Sequence, residues 1–343
     1  MKLYIVGGYV RDTLLGKPHK DKDYVIVGAM QADLISAGYK LVGEDFPVFI
    51  HPTTGDQYTL IEGGDTSSAL IGDLARRDIT INAMALNNNS GELIDPFNGK
   101  QDLANGIIRH MPLFANDPLR ILRVARFAAR YDFSVAKETT ELMQVMAASG
   151  ILQTLAKDRI WTELEKILSE NNSLKACKLL DSVGVITQIF KYASLTFPEN
   201  EKAFNELSIS NKFIALTWAF DYSDSDFSDM RVPVKVQRAY RLYLRVRKNY
   251  DTFDSLDSSA KVNFLMAIGA FNDMSVFADI CPLLNMACPK AMVMTLGLAI
   301  AAAKTVDCEY ISKNNANNIA SAIFNARVNA ININLCVIGE GNA

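Results

Sequence analysis

The hydrophobic pattern of this chain changes period near residues 111–116, and that change constrains the fold more than any other feature. Before it, short apolar runs stop at glycines and turn residues. Residues 3–6 end at Gly7-Gly8, residues 24–27 end at Gly28, and residues 46–51 are divided from 57–61 by Pro52-Thr53-Thr54-Gly55-Asp56. Two helical stretches, residues 9–15 and 31–37, close at Gly16 and Gly38. Residues 63–68 read as a loop, 79–86 as an apolar run and 92–94 as a short strand. From Asp117 onward strand signals nearly vanish, and Leu, Ala and Met recur at three- and four-residue steps. The expectation is an α+β chain. An N-terminal domain with a mixed sheet and helices is followed by a long all-α remainder, with breaks near residues 197–200 and 221–229. Its 343 residues allow about two domains of roughly 150 residues each.

Charge narrows the partners. Lys and Arg total 35 against 38 Asp and Glu, a net charge of −3, so a nucleic-acid surface has to be a local patch. The five cysteines (Cys177, Cys281, Cys288, Cys308, Cys336) form no CxxC pair, and the three histidines (His19, His51, His110) all lie in the first third, which argues against a Cys/His zinc cage. The cysteines read as buried and reduced, and the N-terminal apolar run is too short for a signal peptide, so a cytoplasmic protein is expected. The longest apolar stretch, residues 291–303, lies between Lys290 and Lys304. A bilayer crossing needs about 20 residues, so this stretch reads as a core helix and no membrane partner is expected.

Four constellations can carry chemistry. In the first, Gly7-Gly8 precedes Arg11-Asp12 and then Asp21-Lys22-Asp23. Asp21 and Asp23, two apart at the start of a strand, share a face. Paired carboxylates suit Mg²⁺, a hard ion that shares oxygen ligands with substrate phosphates. Gly7 and Gly8 allow close approach of a ligand just before a helix, and Arg11 on its first turn can clamp a triphosphate. The second, residues 76–84, alternates polar with apolar groups, and Asp78, Thr80 and Asn82 cannot all be buried without partners. It reads equally as a capped element with solvated arginines. The third, from Asp95-Pro96-Phe97-Asn98-Gly99 through Asp102 to Arg109-His110, reads as a structural connection with a packed histidine.

In the fourth, Asp117-Pro118 opens a helix on which Arg120, Arg123, Arg126 and Arg130 recur near helical spacing. Such a ridge is commonly a solvated or ion-paired face. Asp117 and Arg120 at i,i+3 also share a face. An ionised Asp accepts hydrogen bonds and an Arg donates them. Side by side they match a base edge that offers an amino donor beside a ring-nitrogen acceptor. Cytosine and adenine present that edge; uracil and guanine present the reverse, and would leave polar groups unpaired.

In this order the motifs resemble the class II tRNA nucleotidyltransferases, the CCA-adding family, which is closely similar to bacterial poly(A) polymerases. The match runs through Gly7-Gly8-Tyr9-Val10-Arg11-Asp12, Asp21-Lys22-Asp23, Arg76-Arg77-Asp78-Ile79-Thr80-Ile81-Asn82-Ala83, Asp95-Pro96-Phe97-Asn98-Gly99, Asp117-Pro118-Leu119-Arg120 and Asp158-Arg159-Ile160-Trp161. The resemblance implies a nucleotidyltransferase head over residues 1–112, a helical neck over 113–170 that recognises the base, and a tRNA-binding body and tail over 171–343. It implies Asp21 and Asp23 as catalytic Mg²⁺ ligands, and Gly8, Arg11, Arg77, Asn82 and Arg123 as nucleotide contacts, with Asp117 and Arg120 selecting C and A. The implied reaction is attack of the tRNA 3′-OH on the α-phosphate of CTP or ATP, with loss of pyrophosphate.

Three departures stand out. Asn116 and Asp158 occupy positions where the family usually has Glu. Residues 61–75 stand where the family carries a longer flexible loop that helps switch the pocket from C to A, and they contain no basic residue. Members without that loop add CC alone. No histidine follows His110, so the His-Asp phosphohydrolase domain of some relatives is not expected here.

Residues 235–248 supply the local basic patch: Arg238, Arg241, Arg245 and Lys248 fall on one helical face, with Val236, Tyr240 and Tyr243 toward another. The patch reads as an RNA-phosphate surface or as a solvated amphipathic helix. Three other readings compete with CCA addition: a CC-adding enzyme, a poly(A) polymerase, which usually has a basic C-terminal tail where this chain has Ile338-Gly339-Glu340-Gly341-Asn342-Ala343, and an inactive RNA-binding protein. Nothing in the sequence calls for an obligate protein partner.

Overall fold

The computed structural model describes residues 1–18, 22–43, 48–61, 66–190, 195–220, 224–271, 274–314 and 318–340. The chain divides into two compact units, Met1–Ser194 and Leu195–Ala343.

The first unit is built on β1 (Lys2–Val6), β2 (Asp23–Val27), β3 (Lys40–Val42), β4 (Val48–Ile50), β5 (Gln57–Ile61), β6 (Ala85–Asn87) and β7 (Leu93–Ile94). They form one mixed sheet in the order β3-β4-β5-β2-β1-β6-β7, with β2 parallel to β5 and the other pairs antiparallel. The helices of its first part are α1 (Gly8–Leu14), α2 (Gln31–Ser36), α3 (Thr66–Ala75) and α4 (Gly99–Asn105). The mixed sheet and the helical remainder bear out the α+β expectation.

Residues 66–68, expected as the end of a loop, instead open the helix α3, which runs to residue 75. The reason is tertiary. Strand alternation turns Val25 and Val27 to one face of the sheet, where they join Tyr4, Val6 and Ala85, and α3 lays Leu70 and Leu74 against that face. Full burial of each leucine contributes about 1.5–3 kcal/mol, which outweighs the weak helix propensity of the Thr66-Ser67-Ser68 start. The strand β3 is likewise absent from the sequence reading.

The rest of the first unit is helical: α5 (Arg120–Tyr131), α6 (Lys137–Ala148), α7 (Lys157–Ser169), α8 (Ser173–Ser182) and α9 (Val185–Phe190). One unexpected strand interrupts it: β9 (Ser134–Val135) pairs in parallel with β8 (Ile107–Ile108). α5 packs on both α7 and α8, burying Ile121, Leu122, Val124 and Ala125.

The second unit is helical throughout its described residues. Asn200 caps the helix Glu201–Asn205 after the expected Pro/Asn break. The expected break at residues 221–229 holds a short helix, Asp224–Asp229. The apolar stretch 291–303 lies in the helix Lys290–Lys304, which buries Met292, Leu296, Ala299 and Ile300. No single helix among the described residues is long and apolar enough to cross a membrane. Of the thiols, Cys177 and Cys288 are buried, whereas Cys281 and Cys308 are partly exposed, so burial holds for only part of the set.

Candidate active site

The turn between β1 and α1 forms one wall of the site. Gly7 adopts φ +71, a left-handed conformation that favours glycine, and a Cβ there would lie 2.7 Å from the Arg77 guanidinium and 3.9 Å from a carboxylate oxygen of Asp23. A Cβ at Gly8 would meet the Arg11 guanidinium at 3.3 Å. Glycine at both positions leaves this wall open. Asp23 begins β2 on the same wall. Asp23 supplies a single carboxylate here, the kind of oxygen donor that a hard cation such as Mg²⁺ takes once or twice while keeping waters and phosphate oxygens in its shell. Asp21, the second carboxylate of the pair, lies outside the described residues.

Arg11 is nearly buried. Its Nε and Nη2 each donate to Asp12 at 2.9 Å, its Nη1 donates to Asn82, and its guanidinium lies 4.9 Å from the Tyr131 ring centre and 5.4 Å from that of Phe127. Tyr131 in turn donates to Asp12 at 3.0 Å, and burial raises its hydroxyl to a pKa of about 12. Asn82 continues the chain by donating to Asp78 at 2.9 Å, and Arg123 of α5 closes it with an ion pair to Asp78 at 2.7 Å. A continuous polar network thus runs from α1 to α5.

Burial alone would raise the Asp78 carboxyl. Arg123, the Asn82 amide and the Ile79 N–H outweigh it, and hold Asp78 below the ordinary carboxylate range. A depressed folded-state pKa contributes stability that is present above the unfolded value of about 3.9 and is lost as pH falls through the folded value. Asp78→Asn is therefore expected to lower the melting temperature at neutral pH, with the gap to the unaltered protein closing below about pH 3.9. Thermal melts from pH 7 to pH 2 check this, and a gap constant over that range would contradict it.

The opposite wall comes from the helical segment. Asp117 accepts from the Leu119 N–H at 3.1 Å and pairs with Arg159 of α7 at 3.0 Å. Arg120 donates to the carbonyl of Leu113 at 2.6 Å and to that of Arg76. Arg77 is held by Asp73 of α3 at 3.2 Å. The other three ridge arginines of α5 are ion-paired: Arg123 to Asp78, Arg126 to Glu163 at 2.5 Å and Arg130 to Glu170 at 2.6 Å.

Gly8, Arg11, Asp23, Arg77, Asn82, Asp117, Arg120 and Arg123 all line one open cavity of about 490 Å³. The structure therefore brings together every described residue that the sequence singled out for nucleotide contact. Sequence reasoning gave no role to Asp12, Tyr131, Asp73 or Arg159. The alternation around Asp78 flagged that residue, whereas Tyr131 carried no local signal.

The third constellation is structural, as read. Asp95 accepts the N–H groups of Gly99 and Lys100 at the start of α4, and Asp102 accepts from Thr80 at 2.7 Å and Arg109 at 3.0 Å. His110 bonds Thr139 at 2.8 Å, and burial lowers its pKa.

In the second unit, the helix Val234–Phe253 buries Val236, Tyr240 and Tyr243, and exposes Arg238, Arg245 and Lys248, with Arg241 half-buried. Arg238, Arg241 and Arg245 line a shallow cavity of about 350 Å³ with Leu242, Ile268 and Val276.

Residues 52–109 match the family described as the Poly A polymerase head domain, and residues 132–195 match one described as "Probable RNA and SrmB- binding site of polymerase A". A Multifunctional CCA protein of Nitrosococcus oceani is 47% identical over 205 residues, which cover 55% of this chain and 50% of that protein. Another, of Haemophilus influenzae, is 49% identical over 208 residues, covering 55% and 50%. The chain spans about half the length of these curated relatives. Among solved structures, the complex of a CCA-adding enzyme with ATP superposes with a TM-score of 0.74 at 26% identity, over 96% of this chain and 86% of that one. Over residues 52–109 and 132–195 the chain thus matches poly(A) polymerase family models, and over about half its length it is similar to CCA-adding proteins.

Proposed function

We propose that this chain is a template-independent tRNA nucleotidyltransferase that adds C, C and A to the tRNA 3′ end from CTP and ATP in the cytoplasm. One observation carries the reading: a single cavity gathers the glycine turn, Asp23 and the cationic side chains Arg11, Arg77 and Arg123 beside Asp117 and Arg120. Triphosphate oxygens would lie against the glycine turn and the arginines, which draw charge toward the leaving pyrophosphate. The 3′-OH oxygen attacks the α-phosphorus, the bond to the β-phosphate breaks, and pyrophosphate leaves. Asp21 and Asp23 would hold Mg²⁺, which when bound neutralises charge on the triphosphate and the attacking oxygen. Asp117 and Arg120 would read the base. Arg238, Arg241, Arg245 and Lys248 would contact tRNA phosphates, giving salt-sensitive binding led by shape. The identity to CCA proteins over 205 and 208 residues supports the nucleotidyltransferase reading.

A second reading is a CC-adding enzyme. It is favoured by the composition of residues 61–75, which lack any basic side chain, and by the packing of α3 on the sheet. Single-nucleotide extension of a tRNA transcript ending at its discriminator base separates the readings. Addition of three nucleotides from CTP plus ATP supports CCA addition, and arrest at two supports CC addition. Long A tracts would indicate a poly(A) polymerase, and no extension an inactive binder.

In the same assay Asp117→Ala is expected to relax base choice rather than stop transfer. Preference for CTP over UTP should fall by about a hundredfold, because the wrong base no longer leaves the Asp117 acceptor unpaired. Unchanged selectivity would count against the reading role.

A further inference from the structure

Arg159 stands in one of the motifs named above, yet no function has been given to it. It projects from the first turn of α7, and its side chain, 48% exposed, lines both the 490 Å³ cavity and an adjoining cavity of about 780 Å³ floored by Leu113, Pro118 and Leu155. Its Nη2 lies 3.3 Å from Asp117 Oδ1 and 3.0 Å from Oδ2. Oδ1 also accepts the Leu119 N–H at 3.1 Å.

A carboxylate has about four acceptor positions on its two oxygens. The Leu119 N–H and Arg159 together fix the plane of the group and leave Oδ2 with acceptor capacity. Without Arg159 one backbone N–H holds Asp117, and the carboxylate can turn about its χ2. Reading a base by hydrogen bonds depends on such placement, since a loosely held acceptor tolerates a water-bridged wrong partner.

We infer that Arg159 is a positioning residue for nucleotide choice: it holds the Asp117 carboxylate in the orientation that accepts the amino group of C or A and penalises U and G. This rests on the nucleotidyltransferase reading above, in which Asp117 faces the base. Arg159 acts through Asp117, so its effect requires Asp117 to be present.

The test compares the unaltered protein with Arg159→Leu, Arg159→Lys, Asp117→Ala and the double variant Asp117→Ala/Arg159→Leu. The readout is kcat/KM for CTP and for UTP on a tRNA transcript ending at the discriminator base. Arg159→Leu should lower the CTP-to-UTP ratio about tenfold or more, the scale of one charge-assisted hydrogen bond. Arg159→Lys, which keeps a single cationic donor, should fall between. In the Asp117→Ala background the loss of Arg159 should leave the ratio where Asp117→Ala alone puts it. A merely structural role for Arg159 lowers both substrates together with the ratio unchanged, and that result overturns the inference, as does a further fall in the double variant. Tighter CTP binding at an unchanged ratio would make Arg159 a competitor for Asp117 and would overturn it too. Calorimetric binding of CTP and UTP without RNA runs alongside. If the unaltered protein extends nothing, the function reading fails, and the CTP-to-UTP binding ratio with and without Arg159 still decides: a fall supports positioning, and no change refutes it.

Discussion

Replacing Asp21 and Asp23 together with alanine is expected to abolish nucleotide incorporation while leaving tRNA binding nearly intact. Asp23 is exposed at the first residue of β2, on the rim of the 490 Å³ cavity, so its carboxylate contributes little to the packed core. Surface substitutions of this kind usually change stability by about 0.5 kcal/mol or less. The catalytic loss is of another order. If Asp21 and Asp23 hold the cation as proposed, removing them deletes charge stabilisation that exists only as the α-phosphate reacts, and a fall of about 10³-fold or more in the single-turnover rate is expected. Under the proposed reading, binding of the RNA draws on cationic side chains elsewhere, including the exposed Arg238, Arg245 and Lys248, and should stay within about twofold. Rapid-quench incorporation of CTP and filter binding of tRNA, with a thermal melt to establish folding, separate the two effects. Retained incorporation would sink the metal-ligand assignment. Lost incorporation with lost tRNA binding would move these carboxylates to a structural role.

What the sequence made legible follows from the range of the interactions. Gly7-Gly8, Asp23 and the Asp117-Arg120 spacing are local patterns whose geometry one turn or one strand determines, and they reach the cavity as expected. The buried face of Val236, Tyr240 and Tyr243 is helical periodicity read directly. The partners were not legible. Arg123 finds Asp78 and Arg126 finds Glu163 because α5 lies where it does, and neither spacing has a local signal. α3 was hidden for a similar reason, since Leu70 and Leu74 make a helix only once a sheet face receives them. β3 and β9, at three and two residues, are too short to show a period of two. Asp21, the other half of the carboxylate pair, falls among the residues the structure leaves undescribed.

Glu163→Ala is expected to be the most destabilising single change in the first unit. Glu163 is 2% exposed and Arg126 7%, and they meet at 2.5 Å. Lys166 lies 3.5 Å from the second carboxylate oxygen but is half-exposed, so water already screens it. Removing Glu163 strands the Arg126 guanidinium in the interface between α5 and α7. Breaking a buried pair in this way costs about 3–5 kcal/mol, because the remaining charge has lost its water and its partner together. For a unit of this size each kcal/mol lowers the melting temperature by about 2–4 °C, so the first unit should melt roughly 6 °C or more below its ordinary value. The double change Arg126→Met/Glu163→Leu replaces both charges by apolar groups of similar volume, and should recover most of that loss. Urea unfolding of the four corners of this cycle measures the coupling. A loss under about 1 kcal/mol in Glu163→Ala would mean that water reaches Arg126, whereas a double variant as unstable as the single would make packing the cause. The pair also has a functional consequence. α5 carries Arg120 and Arg123, and α7 carries Arg159, so under the proposed reading the ion pair that joins the two helices would also hold Arg159 at its distance from Arg120 and Arg123.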